Sequence, residues 1–314
     1  MLLFFALTAF ASDWEASALI GGEFNTDSHG ILAAGLRSGP VSILYNTDTL
    51  SAVVEEEGER GRWWAQVKGQ AGVAGMFPFP WTDGAKDPSM GLSAYTLGAE
   101  VGAVRYLGHG LYGGGWAGVH YWAFAPTNAT FIAVPDGRPV LTSRAVVGYW
   151  SKPLTADVQG GFSIDAGELV PQLSAVVAVH TSGFFRPIAE IRAGVSSNVT
   201  PITATRLGGL NPYVVPLAGA AWAEFRVDDY AVARLGPGVA SERWRAGLFA
   251  DLAWFDGREA VGIGSLGSVS GGPWTVTVIG GVAPWLERPS GVAGTVYAAV
   301  EHEWRSLKRD SDQD

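Results

Sequence analysis

Apolar residues in this chain recur at every second position and seldom gather in long runs. From Trp63 to Phe77 one face reads Trp63, Ala65, Val67, Gly69, Ala71, Val73, Gly75 and Phe77, while Gln66, Lys68 and Gln70 occupy the other. A period of two is the period of a β-strand. An aromatic at each end with small apolar residues between is the profile of a strand that crosses a bilayer. The same alternation appears from Leu154 to Ile164, where Leu154, Ala156, Val158, Gly160, Phe162 and Ile164 would face lipid. From Arg243 to Trp254, Trp244, Ala246, Leu248, Ala250, Leu252 and Trp254 would do so.

This pattern decides between two ways of crossing a membrane. Hydrophobic residues make up 47% of the 314-residue chain and charged residues 16%, against about a quarter charged in soluble proteins. Beyond the N-terminus no segment approaches the ~20 consecutive apolar residues of a spanning helix. Lipid leaves only helices and closed barrels as spanning structures, because backbone polar groups must pair among themselves. The expected fold is therefore all-β, a transmembrane antiparallel β-barrel. The 13 Trp and 9 Tyr suit the two membrane interfaces. A formal charge of −9 argues against nucleic acid as a partner. The competing reading is a soluble sandwich or propeller, which would appear in the periplasmic fraction.

Met1 to Ala11 is an apolar run closing on Ala9-Phe10-Ala11, an A-x-A cleavage pattern. It reads as a signal peptide, with Ser12 as the mature start. A basic n-region is missing, which fits a start codon lying a few codons upstream. The barrel is expected over 12–304, with a charged tail from Arg305 to Asp314. Weaker alternation runs through Asp13–Phe24, Gly91–Tyr106, Leu111–Phe124, Val140–Trp150, Val170–His180, Val214–Val227 and Trp274–Ala283. Short turns are expected at 37–40, 108–110, 151–153 and Asp228-Asp229, and longer loops at 78–90, 126–139 and 196–212. The count is 14 to 16 strands, with 16 favoured and an even number expected. The strands between Leu50 and Arg60 and between Tyr230 and Arg243 are the hardest to place. No fixed-period repeat and no linker marks a second domain.

The last strand carries Gly294, Val296, Ala298, Val300 and Trp304 on one face. A glycine, alternating apolar residues and a terminal aromatic resemble the signal read by the barrel assembly machinery, an expected partner during insertion. Outer-membrane lipid and lipopolysaccharide are the other expected partners.

The C-terminal third resembles a known family. Arg206-Leu207-Gly208-Gly209-Leu210-Asn211-Pro212, then Pro216 to Phe225, then Gly247-Leu248-Phe249-Ala250-Asp251 resemble the C-terminal barrel of the bacterial surface antigen superfamily. That superfamily includes BamA-like assembly factors and two-partner secretion transporters. The resemblance implies that Leu207, Gly208 and Gly209 open a long loop that folds back into the lumen. It also implies sixteen strands and a role in assembling or translocating a protein client. The family's Arg-Gly-aromatic triplet has no counterpart, since Leu217-Ala218-Gly219-Ala220 stands there. The barrel reading begins near Ser12, so the periplasmic POTRA modules of the family are not expected here. In this reading Asp251 would meet the infolded loop near Arg206.

Inward charges are the residues of greatest functional interest. Arg186, Glu190, Arg192, Arg206, Glu224, Arg226, Arg243, Arg245 and Asp251 can pair across strands and plug the lumen, or line a conducting channel. A passive pore for small solutes is thus the first alternative function. A second is an outer-membrane lipid hydrolase built on His180 and Ser182, although two residues of separation on a strand and a turn-like Thr181-Ser182-Gly183 favour a plain turn. His29, His109, His120 and His302 lack metal-pair spacing, and no cofactor is expected. Glu55-Glu56-Glu57-Gly58-Glu59-Arg60 reads as a solvated acidic turn, with calcium the weaker possibility.

Overall fold

Period-two alternation over most of the chain produces strands, and the strands close on themselves. The computed structural model describes residues 14–24, 29–38, 41–46, 49–77, 81–82, 85–200, 202–210, 215–220, 224–284, 286 and 292–305. The expected signal peptide, the tail beyond Arg305 and the loop residues Asn211 and Pro212 lie outside the described residues. Among the described residues, sixteen antiparallel strands form one closed barrel. They are β1 (Trp14–Phe24), β2 (His29–Ser38), β3 (Val41–Asn46), β4 (Thr49–Arg60) and β5 (Trp63–Phe77). Next come β6 (Leu92–Gly108), β7 (Leu111–Pro126), β8 (Arg138–Ser151), β9 (Leu154–Asp165), β10 (Glu168–Val179) and β11 (Ile188–Ser196). The set ends with β12 (Asp229–Gly236, continued by Gly238–Ala240), β13 (Trp244–Phe255), β14 (Arg258–Gly271), β15 (Trp274–Ala283) and β16 (Ala293–Arg305). Each strand pairs with its neighbour in sequence, and β1 pairs with β16 from Glu15↔Arg305 to Phe24↔Val296. Closure leaves no unpaired edge.

The alternation assigns the two faces as expected. Trp63, Val67 and Val73 of β5, Leu248 and Leu252 of β13, and Val296 and Val300 of β16 are exposed on the outside. A belt of this kind on a soluble protein would aggregate; against lipid it is the stable arrangement. Gly294 and Ala298 share that outer face of β16, while Thr295 and Tyr297 are buried inside.

Inside, large rings lie over glycines. His120 covers Gly98, Trp116 covers Gly102, Tyr112 covers Gly148, Tyr230 covers Gly194 and Phe249 covers Gly264. In every case the ring and the glycine are direct cross-strand partners. The missing side chain makes the slot into which the ring lies down, and so fixes the register. Replacing Gly102 by Val is expected to cost about 1–3 kcal/mol, as forced overpacking does. A urea midpoint equal to that of the wild type would show that the Trp116 ring is not seated there.

Three expectations need correction. Glu55 to Arg60 is not a turn. It belongs to β4, with Glu55 opposite Lys68 and the bend at Gly61-Arg62. Consecutive strand residues point to opposite faces, so the acidic run does not converge on one cation. The described residues of Val214–Val227 form no barrel strand and belong to the connection between β11 and β12. Asp228-Asp229 is accordingly where that connection hands over to β12, not a turn between two wall strands. The strand placed between Tyr230 and Arg243 is real but broken. Pro237 has no N–H to donate, so it divides β12, although its carbonyl still accepts from Leu248 N at 3.0 Å.

Candidate functional site: the infolded loop and its dock

The described residues of the connection from 197 to 228 fold back against the barrel wall. Its first leg lies along β9 and β10. Ser197 N donates to Pro171 O at 3.3 Å and the Gln172 amide donates to Thr203 O at 2.6 Å. The Thr200 hydroxyl donates to the Asp165 carboxylate, which also pairs with Arg138. Asp165 is fully buried, so an unmet oxygen there would be costly. Thr200→Val is expected to weaken this anchor by about 1.5–3 kcal/mol, the range for hydrogen bonds to charged groups. Faster protease nicking within residues 197–204 would show it; an unchanged rate would place the anchor elsewhere.

Next comes a hairpin, in which Thr205–Leu207 pairs with Phe225–Val227. Leu207 and Val227 point into a core shared with Tyr230, Val232, Ala253 and Phe255 of the wall. Phe225 stacks at a tilt on Phe255, with centroids 4.9 Å apart. After Leu207 the chain turns through Gly208 and Gly209, whose φ angles of 124° and 89° suit glycine. Gly208 N then donates to Val215 O and Leu217 N to Gly209 O.

The loop's deepest segment, Leu217-Ala218-Gly219-Ala220, reaches a dock made by β12 to β16. Asp251 on β13 is fully buried and accepts three hydrogen bonds. Arg234 on β12 supplies two, Nε to Oδ1 and Nη2 to Oδ2, both 2.7 Å, and Ala218 N supplies the third at 2.8 Å. The guanidinium also lies 4.2 Å from the Phe249 ring centroid. Thr295 Oγ1 on β16 donates to Ala220 O at 2.8 Å. The wall beneath Ala218 is stripped of side chains. A Cβ at Gly262 would stand 2.8 Å from the Ala218 Cβ, and one at Gly281 would stand 2.6 Å from it. Gly262 and Gly281 thus form a groove for a small residue.

Asp251 does meet the infolded loop, but not near Arg206. Its cation is Arg234, a wall residue, and its contact with the loop is the Ala218 N–H. The other inward charges divide. Glu190 and Arg192 pair with each other on β11. Glu224 is buried and has a partner of its own. Arg206 and Arg226 face each other across the loop hairpin. Arg245 is exposed at the start of β13. Arg186 and Arg243 were expected to be inward strand residues, but both lie outside the strands. Arg186 precedes β11 and donates to Gly183 O, and Arg243 sits in the turn before β13. His180 is bonded through Nε2 to Thr155 Oγ1 at 3.1 Å rather than to Ser182.

The far side of the lumen, from β4 to β9, is polar. Glu55, Lys68 and Glu100 stand directly opposite one another in turn. Glu100 reaches Arg144 at 2.9 Å past Gly118 of β7. Arg144 in turn covers Trp116, 4.9 Å from its centroid. The lumen therefore has a docked wall and a polar, charged wall.

No family model and no curated protein matches the sequence. Solved structures do. CdiB from Acinetobacter baumannii aligns over 93% of this chain with a TM-score of 0.66 at 11% identity. CdiB from Escherichia coli aligns over 93% with a TM-score of 0.62 at 13% identity. BamA from Haemophilus ducreyi lacking POTRA domains 1–3 aligns over 92% with a TM-score of 0.67 at 10% identity. The chain spans 60%, 63% and 70% of those three chains respectively. This chain has the fold of the BamA and CdiB barrels, the fold that its Leu-Gly-Gly and Phe-Ala-Asp segments resemble.

Proposed function

We propose that this protein is a translocation- or assembly-type barrel of the bacterial outer membrane, gated by the loop at 197–228. The observation that carries the reading is the dock. A loop tip of Ala218-Gly219-Ala220 is held in a glycine groove and latched by Asp251 and Arg234. The tip itself carries only small side chains and is latched by one ion pair, so it can leave its seat while the wall stays intact, with the hairpin still packed through Leu207 and Val227. The polar wall from β4 to β9 offers hydrogen bonds of both kinds to a passing polypeptide. The barrel ends that carry Trp14 and Arg305 face the periplasm in this reading, and outer-membrane lipid and lipopolysaccharide surround the apolar belt.

Planar-bilayer recording of the refolded barrel tests it. The wild type should give low, flickering conductance, and deletion of residues 205–227 should give a steady open pore. Unfolded polypeptide added on the side of the chain termini should block that pore transiently. Equal, steady conductance in both proteins would instead favour a passive solute pore. A gated pore that polypeptide never blocks would keep the gate and remove the client.

A further inference from the structure

The loop hairpin carries its charges in an arrangement found at none of the ion pairs on the wall. Arg138, Arg144, Arg192 and Arg234 each rest on a carboxylate. Arg206 and Arg226 instead stand directly opposite each other. Like charges at that position destabilise a strand pair. The hairpin cannot turn over to separate them, because its other face seats Leu207 and Val227 in the core. Hydrophobic seating therefore holds two guanidinium groups together.

Neither group has an internal counter-charge among the described residues. Arg206 Nη2 is enclosed and makes no hydrogen bond. Burial and the neighbouring Arg226 push the Arg206 pKa down to about 10, with no carboxylate offsetting them. Arg206 still carries its charge at neutral pH. Arg226 is exposed and Arg206 half-buried with its Nη2 enclosed, so a small ligand approaches the pair from the Arg226 side. Arginine forks match the oxygens of a tetrahedral oxyanion, and each such hydrogen bond is charge-assisted.

We propose that Arg206 and Arg226 form a binding site for a phosphate-class anion on the infolded loop, at the mouth opposite the chain termini. The anion replaces repulsion across the hairpin by a bridge, and so holds the loop in its seat. The site rests on the seating of the hairpin and not on translocation. Its source is either a free phosphate or pyrophosphate, or the phosphate of a lipid headgroup at that mouth.

Unfolding midpoints of the refolded barrel in uncharged detergent, at fixed ionic strength, provide the test. In chloride, Arg226→Gln should be as stable as the wild type or more so, since repulsion is removed. Pyrophosphate should raise the wild-type midpoint, and the variant should need at least about tenfold more for the same rise, as expected for one lost charge-assisted bond. Arg206→Gln should lose the same response. Nanodiscs containing lipid A or its dephosphorylated form assign the source. A shift with lipid A alone places the ligand on the lipid, and a shift with pyrophosphate alone makes it free phosphate. A wild type indifferent to both, or a variant that responds equally, overturns the site.

Discussion

Asp251→Ala is expected to lower the stability of the folded barrel by about 3–5 kcal/mol, the usual cost of removing one partner of a buried ion pair. The substitution strands two groups at once. Arg234, whose side chain is only 14% exposed, loses both of its carboxylate bonds. The Ala218 N–H loses its acceptor, so the loop tip is released as well. A urea titration in lipid reads the first effect and conductance reads the second. Removing both charges, in Asp251→Leu with Arg234→Met, should recover much of the loss, because an apolar pair of similar volume often replaces a buried ion pair without penalty. The loop would stay loose even so, since Ala218 N gains nothing from leucine. A single variant with the wild-type midpoint would show that the latch carries no energy.

Gly281→Val is expected to open the lumen and leave the wall assembled. The added Cβ would stand 2.6 Å from the Ala218 Cβ and 3.3 Å from the Ile263 carbonyl oxygen. The wall is a continuous hydrogen-bonded ladder, whereas the tip is held by isolated hydrogen bonds and by packing of small side chains, so the tip should yield. Overpacking of about 1–3 kcal/mol shifts the ratio of seated to released loop roughly 5- to 150-fold. Steady conductance should replace flickering, while the compact, heat-modifiable gel band is kept. Pairing Gly281→Ala with Ala218→Gly moves the methyl from the loop to the wall and should restore the closed state. If the pair stays open, the groove is not what seats the loop.

The strands were legible because lipid outside and polar groups inside impose one period along the whole wall. That rule fails where the chain leaves the wall. Val214–Val227 alternates like a strand, yet its described residues from Val215 to Ala220 pack against the inside of the barrel, where neighbours on both sides are protein. Leu217, Ala218 and Ala220 are fully buried for that reason. Glu55 to Arg60 looked like a turn because charge density usually marks one, but an inward carboxylate opposite Lys68 is also a strand residue. The partner of Asp251 was within reach of the sequence. A turn around Glu242 pairs Arg234 with Asp251 directly, whereas the family resemblance implies a contact near Arg206. Gly262 and Gly281 could not be picked out. Among 43 glycines, only the three-dimensional path of the loop shows which two must lack a side chain.

The seam between β1 and β16 sets the timing of folding. Ile20 and Val300 are direct partners in it, and bringing together positions about 280 residues apart costs roughly 5 kcal/mol of chain entropy before any bond rewards it. The other wall pairings join sequence neighbours or span a single loop and can form as hairpins. The chain therefore commits late, when its final strand arrives. A nascent chain that lacks that strand holds two raw edges and an apolar belt in water. Its safe lifetime is set by how fast something shields it, and a barrel truncated before Ala293 should precipitate rather than insert.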